Sequence, residues 1–166
     1  WQRFYLTTQA RRSCRQARRV VTISQSGRQD VHRYFGIPLE RIDVVYPGVD
    51  ERFTRQSAEQ LATFRQANDL PQRFILHVGT LQPRKNLTFL LDVFAQLRQD
   101  PAFADLTLVL AGGKGWFYEE IFNRVQALGL TDWVRFPGYV PDETLPQWYS
   151  AAACLVLPSA YEGFGM

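Results

Sequence analysis

Cysteine is scarce: Cys14 and Cys154 are the two in 166 residues. Two thiols in dissimilar settings exclude a disulfide framework and a zinc site, and they point to a reducing compartment. Long hydrophobic runs are missing too. No stretch approaches the roughly 20 apolar residues that span a bilayer. Residues 1–20 alternate arginine with polar residues around no apolar core, so a secretory leader is not expected. No Walker pattern is present. His32 and His77 stand alone and no carboxylates cluster at ligand spacing, so a metal site is not expected. No Ser-His-Asp or Cys-His arrangement offers itself for nucleophilic catalysis. Acid is absent from residues 1–29, which carry Arg3, Arg11, Arg12, Arg15, Arg18, Arg19 and Arg28; Asp30 is the first carboxylate. The net charge of +3 therefore belongs to this segment, since 12 Lys and Arg remain elsewhere against all 16 acids. Such a segment suits a solvated or packed helix face, or an anionic membrane surface. Nucleic acid is disfavoured, because no aromatic stacking residues are interleaved with the arginines. The chain starts at Trp1 and reads as a piece of a longer protein.

What is present is an alternation of strands and helices. Hydrophobic residues make up 46% and charged ones 21%, ordinary for a globular protein. A helix is expected over 2–18, with Phe4, Leu6 and Cys14 among Arg and Gln. A β-branched strand follows at 20–23, then a helix capped by Ser24 or Ser26 that ends at Gly36. A short strand follows at 42–45. Residues 51–72 read as a connection holding one helix at 57–67. From 73 the pattern is more regular. Strands are expected at 74–78, 106–110, 133–136 and 154–157, the second of them buried on both faces and the last a buried apolar run. Between them, Leu87, Leu90, Leu91, Phe94 and Leu97 recur at helical spacing in 85–99. Tyr118, Ile121, Phe122, Val125 and Leu128 do so before a Gly129 cap. Pro146 and the candidate cap Thr144 open a short helix through Ala151. Strands separated by helices argue an α/β fold, a Rossmann-like parallel sheet with helices on both faces and right-handed crossovers.

Candidate chemistry falls at four strand exits, where open α/β sheets bind ligands. Gly79-Thr80 leads through Pro83-Arg84-Lys85-Asn86 into a helix. Free N–H groups and the helix dipole hold phosphate at such a place, and two cations there suit a bound anion. They also suit an ordinary helix start with solvated side chains. Gly112 and Gly113 follow the next strand, where a plain turn is the simpler reading. Gly138 and Tyr139 leave the third, exposing backbone that suits a base edge or nothing more than a strand exit. Glu162, Gly163, Phe164 and Gly165 follow the last, joining a carboxylate suited to sugar hydroxyls with N–H groups suited to phosphate. A glycine turn with a capping Glu is the simpler reading there. All four lie at strand carboxyl ends and are expected to converge on one edge of the sheet.

The motifs Gly79-Thr80 to Pro83-Arg84-Lys85-Asn86, Ala111-Gly112-Gly113-Lys114-Gly115-Trp116, Phe136 to Gly138-Tyr139-Val140, and Pro158-Ser159 to Tyr161-Glu162-Gly163-Phe164-Gly165, in this order, resemble the retaining GT-B glycosyltransferases of family 4, "group 1". The likeness is greatest to bacterial mannosyltransferase-like members that build surface polysaccharide. It implies that residues 1–50 are the end of the acceptor-side domain and hinge, 51–72 a connection, and 73–166 the nucleotide-sugar-binding domain, incomplete at its C-terminus. It implies transfer of a hexose, mannose or a relative, from a nucleotide diphosphate sugar to a glycan or lipid-linked acceptor, with retained anomeric configuration. GDP-mannose is the favoured donor and a UDP-sugar the other. No metal or further cofactor is implied.

By the same resemblance, Lys85 pairs with the donor diphosphate. Many members carry Arg where this chain has Thr80, so Arg84 is a candidate substitute. Gly138 and Tyr139 would meet the base, and Glu162 the donor sugar. Gly163 to Gly165 would give N–H groups to sugar and phosphate. Gly79, Thr80, Gly112 and Gly113 complete the donor site. A second Glu, which the resemblance places further along to hold ribose, falls beyond Met166. The fragment alone is not expected to turn over, and a cytoplasmic place, peripheral to the inner face of the membrane, is implied. Two other readings stand beside this one: a GT-B sugar-nucleotide epimerase, for which the loops offer no proton-abstracting groups, and a non-catalytic nucleotide-binding module.

Overall fold

The computed structural model describes residues 2–165, with side chains from residue 7 onward, so Phe4 and Leu6 lie outside the described side chains, as does Met166. Contacts group the chain into two units, residues 2–49 with 162–165, and Asp50–Tyr161.

In the first unit, helix α1 (Gln2–Gln16) precedes strand β1 (Val20–Thr22), helix α2 (Gln25–Phe35) and strand β2 (Ile42–Val44). The strands pair in parallel, Val20 opposite Ile42 and Thr22 opposite Val44. Of the two candidate caps, Ser24 is the one used. Its backbone is extended and its Oγ accepts from the Gly27 N–H at 3.0 Å. Gly36, left-handed at φ 69°, closes the same helix by donating its N–H to the His32 carbonyl. Ile37 and Ile42 are the buried apolar side chains described here. Residues 162–165 join this unit: the Phe164 ring lies 6.1 Å from that of Tyr46, and Gly163 faces Ile23.

In the second unit, helix α3 (Ala58–Ala67) comes first. Ser57 and Gln60 form a reciprocal capping box, each side chain satisfying the other's N–H. Strand β3 (Phe74–Val78), helix α4 (Leu87–Leu97), strand β4 (Thr107–Ala111), helix α5 (Glu119–Ala127), strand β5 (Val134–Gly138), helix α6 (Leu145–Ala151) and strand β6 (Cys154–Leu155) follow. The sheet order is β5-β4-β3-β6, every pair parallel. Residues 51–72 pack on this unit: the Gln56 N–H reaches Ser150 Oγ at 3.3 Å and the Arg65 guanidinium donates to the Ala151 carbonyl.

All five residues of β4 are buried, the polar Thr107 with the apolar Leu108–Ala111, as suits a central parallel strand. Alternate positions feed opposite cores. Leu108 and Leu110 join Leu87, Leu91, Phe94, Ile121 and Val125 beneath α4 and α5. Val109 and Ala111 join Phe74, Leu76, Trp148 and Ala151, with Leu61 and Phe64 of α3 packed against them. Helices thus cover both faces, each fully buried Leu or Phe contributing about 1.5–3 kcal/mol of transfer free energy.

Two expectations fail. The last strand is not a buried run over 154–157. It is the exposed pair Cys154–Leu155, an edge strand on β3 extended by the Val156 N–H to the Leu76 carbonyl at 2.8 Å. An apolar run carries no mark of edge or centre, because neighbours elsewhere in the sequence decide it. Thr144 does not cap α6. Its backbone is already helical, and its hydroxyl donates to the Pro141 carbonyl at 2.9 Å instead.

Candidate functional site

The site is built on three strand exits. β3 and β4 pair without a break, and β5 follows β4 through a one-residue register shift between Val109 and Ala111 that sets Gly138 opposite Ala111, so Gly79, Gly112 and Gly138 leave the sheet side by side. The Gly79 N–H donates to the Ala111 carbonyl at 2.9 Å and the Gly112 N–H to the Gly138 carbonyl at 2.7 Å. The ladder does not stop there. The Leu81 N–H reaches the Gly113 carbonyl at 2.9 Å, the Gly115 N–H returns to the Leu81 carbonyl at 3.0 Å, and Leu81 bridges Lys114 in parallel. The first two loops are therefore one hydrogen-bonded body.

Glycine is required where they touch. A Cβ at Gly112 would sit 2.0 Å from the Gly79 carbonyl oxygen, and φ there is 150°, a region L side chains rarely enter. Gly79 itself (φ 153°) needs glycine for its backbone angle, and Lys85 and His77 stand beside it. A Cβ on it would stand 3.4 Å from Lys85 Cε, 3.6 Å from Lys85 Nζ and 3.3 Å from His77 Nε2. The ammonium of Lys85 is folded back over the end of β3.

That fold-back has a local cause. Pro83–Lys85 form a single tight turn with Pro83 at its start, and the Lys85 N–H donates to the Gln82 carbonyl at 3.0 Å. Asn86, left-handed at φ 55°, swings the chain into α4 without a side-chain cap, so the opening N–H groups of α4 take none from it. The turn returns Lys85 to the strand end while Arg84, exposed, points another way. The Arg84 Nη1 donates to the Tyr161 carbonyl at 2.8 Å, and the Ala160 N–H donates to the Arg84 carbonyl at 3.1 Å.

The remaining expected residues are placed as follows. Thr80 is exposed, its methyl beside Gly115. Gly113 has open space where a Cβ would be. Gly138 is left-handed at φ 81°, and Tyr139 stands 74% exposed after it. Glu162, Gly163, Phe164 and Gly165 group with the first unit, where Gly163 and Phe164 meet Ile23 and Tyr46. The three loops of the second unit are thus brought together, while the fourth makes its described contacts with the exits of β1 and β2.

His77, which stands alone in the sequence, is fully buried with Nδ1 3.0 Å from the Val156 carbonyl. Its other nitrogen faces the space above Gly79. The signal was available, since residues 77 and 79 lie on one side of an extended chain. Lys114 was not singled out. Its ammonium lies 4.9 Å from the Tyr118 ring centroid and 5.5 Å from that of Phe122, which itself stacks on Phe136 at 4.3 Å. This cation–π contact ties the second loop to α5 and β5.

Among the described residues no group of three or more His, Cys, Asp or Glu is placed to hold a metal ion, and no helix is long and apolar enough to cross a membrane. What the three loops can do is hold an anion: a lysine ammonium, the uncapped start of α4 and exposed loop backbone meet at one edge of the sheet.

Known proteins share this arrangement. The pattern of "Glycosyl transferases group 1" matches residues 60–166 and that of "Glycosyltransferase Family 4" residues 1–53. The O-antigen chain mannosyltransferase B of Escherichia coli is 32% identical over 98% of this chain and 42% of its own length. The mannosylfructose-phosphate synthase of Agrobacterium fabrum is 35% identical over 80% of this chain and 30% of its own. Among solved structures, Anabaena HepE in complex with UDP and glucose superposes with a TM-score of 0.83 at 26% identity, over 96% of this chain and 43% of that one. The chain thus spans less than half the length of each of these proteins. From its parallel α/β architecture and these matches together, the chain belongs to the group 1 glycosyl transferases of the GT-B fold.

Proposed function

We propose that the full-length protein transfers a hexose, mannose or a close relative, from a nucleoside diphosphate sugar to a hydroxyl of a glycan or lipid-linked acceptor, with retained anomeric configuration, in the synthesis of a surface polysaccharide. The observation that carries this reading is Lys85 folded over Gly79 where two glycine loops interlock. The bond between the anomeric carbon and the donor phosphate oxygen breaks, a bond to the acceptor oxygen forms, and the acceptor proton leaves with the released diphosphate or to water. Negative charge grows on the departing phosphate. A lysine already aimed at that position, with the first N–H groups of α4, stabilises that charge more than it stabilises the bound donor. Gly138 and Tyr139 would meet the base, and Glu162 with Gly163–Gly165 the donor sugar. Closure of the cleft would exclude water and so limit hydrolysis of the donor.

GDP-mannose is the donor we favour, the sugar supported by the E. coli O-antigen chain mannosyltransferase; the UDP and glucose held by HepE support a UDP-sugar as the other candidate. The enzyme would work in the cytoplasm. Arg11, Arg12, Arg15 and Arg18, all exposed on or just after α1, would give it a peripheral contact with anionic lipid.

Isothermal titration of GDP, UDP and ADP into the full-length protein tests the reading. One nucleotide should bind selectively, and Lys85→Ala should weaken it by roughly tenfold or more, as expected for loss of a charge-assisted contact. A protein that binds none of the three, or binds one equally well without Lys85, is not using this site.

A further inference from the structure

Arg84 stands beside Lys85, and the family likeness offers it as a second partner for phosphate. Its geometry points to a different task. The side chain donates from Nη1 to the Tyr161 carbonyl at 2.8 Å, and its own carbonyl accepts from the Ala160 N–H at 3.1 Å. One residue thus uses side chain and backbone together on two consecutive residues 76 and 77 positions further along. Those two residues immediately precede Glu162. They also lie beyond the ladder, since β6 ends at Leu155 and the last sheet bond described there is that of Val156 to Leu76.

We propose that Arg84 is a positioning residue: it staples Ala160 and Tyr161 to the Pro83–Lys85 turn, fixing the chain that leads into Glu162 against the turn that carries Lys85. The inference rests on the transferase reading above. It gives Arg84 a role in transfer without giving it a phosphate to bind. A planar guanidinium suits this better than an ammonium does, because its N–H groups lie in a fixed, pre-organised fork that loses less freedom in holding one donor on the carbonyl. The consequence for chemistry follows from tolerance. A reacting group displaced by about 1 Å loses on the order of a hundredfold in rate, whereas binding of a diphosphate by Lys85 and backbone N–H groups is far less sensitive.

The test compares Arg84→Ala, Arg84→Lys and Lys85→Ala in the full-length protein, using GDP and UDP as binding probes. In Arg84→Ala, affinity for the nucleoside diphosphate should stay within about twofold while kcat for sugar transfer falls by about tenfold or more. Amide hydrogen exchange at 160–162 should quicken, with exchange in β3 and β4 unchanged as the check on folding. Arg84→Lys should resemble Arg84→Ala, because it keeps the charge and loses the fork. If Arg84→Ala weakens the nucleotide as Lys85→Ala does and leaves exchange at 160–162 unaltered, Arg84 is a phosphate ligand and the proposal is overturned. Full activity in Arg84→Lys overturns it as well, since a plain cation would then suffice. A wild-type protein that binds neither probe sinks the transferase reading instead, and the exchange measurement still decides whether the staple exists.

Discussion

The two units use the same elements and bury them differently. In the second, β4 is buried along its whole length, and two separate clusters fill the faces of a four-stranded sheet. In the first, two strands of three residues leave Val21, Val45 and Tyr46 more than half exposed. Polar bonds link its elements. Arg19 donates to Asp43 and to the Glu40 carbonyl, Arg28 to the Leu39 carbonyl, and Arg41 to the Ala17 carbonyl. Within the described residues the four-stranded sheet is covered by helices on both faces, whereas β1 and β2 are joined at their rim by directional contacts. The difference also bears on the basic N-terminal segment, because Arg19 and Arg28, among the described residues, are engaged in holding their own unit.

The contrast is broken or sharpened first in the cores. Leu91 is fully buried under α4. Leu91→Ala should cost about 2–5 kcal/mol, read by denaturant unfolding through the Trp133 and Trp148 fluorescence of the same unit. Val21→Ala in the first unit, at 62% exposure, should stay within about 0.5 kcal/mol. Equal losses at the two positions would mean that the first unit is carried by packing after all.

Adjacent glycines give a second comparison inside the stronger unit. Gly112→Ala drives a methyl into the Gly79 carbonyl and should cost roughly 1–3 kcal/mol, with loss of nucleotide affinity because Lys85 and its loop must shift. Gly113→Ala meets open space and should be within about 0.5 kcal/mol of wild type. Identical melting temperatures for the two variants would show that the loops do not interlock.

The smallest effect is expected at the rim of the first unit. The Arg19 guanidinium bonded to Asp43 holds that carboxyl below its ordinary value of 3.8. A depressed carboxylate contributes stability above its unfolded-state pKa and loses it as pH falls through the lower, folded one. Arg19→Gln should therefore differ slightly from wild type near neutral pH and converge with it in acid, and added salt should narrow the gap. Thermal melts followed at the β1 and β2 amides would show this. A gap that persists at the acid end would place the effect of Arg19 elsewhere, in its bond to the Glu40 carbonyl.

Much of the second unit was readable residue by residue. Leu87, Leu90, Leu91 and Phe94 at helical spacing are buried in α4, and the apolar Leu108–Ala111 of β4 form a central strand because a parallel strand covered on both faces has no exposed side. Strand exits rich in glycine marked the three loops that meet. The interlocking of Gly79 with Gly112 was not readable, since it depends on β3 and β4 pairing in one register. Cys154 and Leu155 misled for the same reason: their apolar character was visible, their place at the edge was not.

Local pattern by itself determined the alternation of elements, the end of α2 at Gly36, and the presence of cations at the start of α4, because each depends on residues within one turn of each other. Tertiary structure alone decided what the two neighbouring cations do. Lys85 and Arg84 are adjacent in sequence and chemically alike, yet one folds over Gly79 and the other reaches a carbonyl 77 residues away. A tight turn points successive side chains in different directions, and what each meets is set by strands and loops brought there from far along the chain.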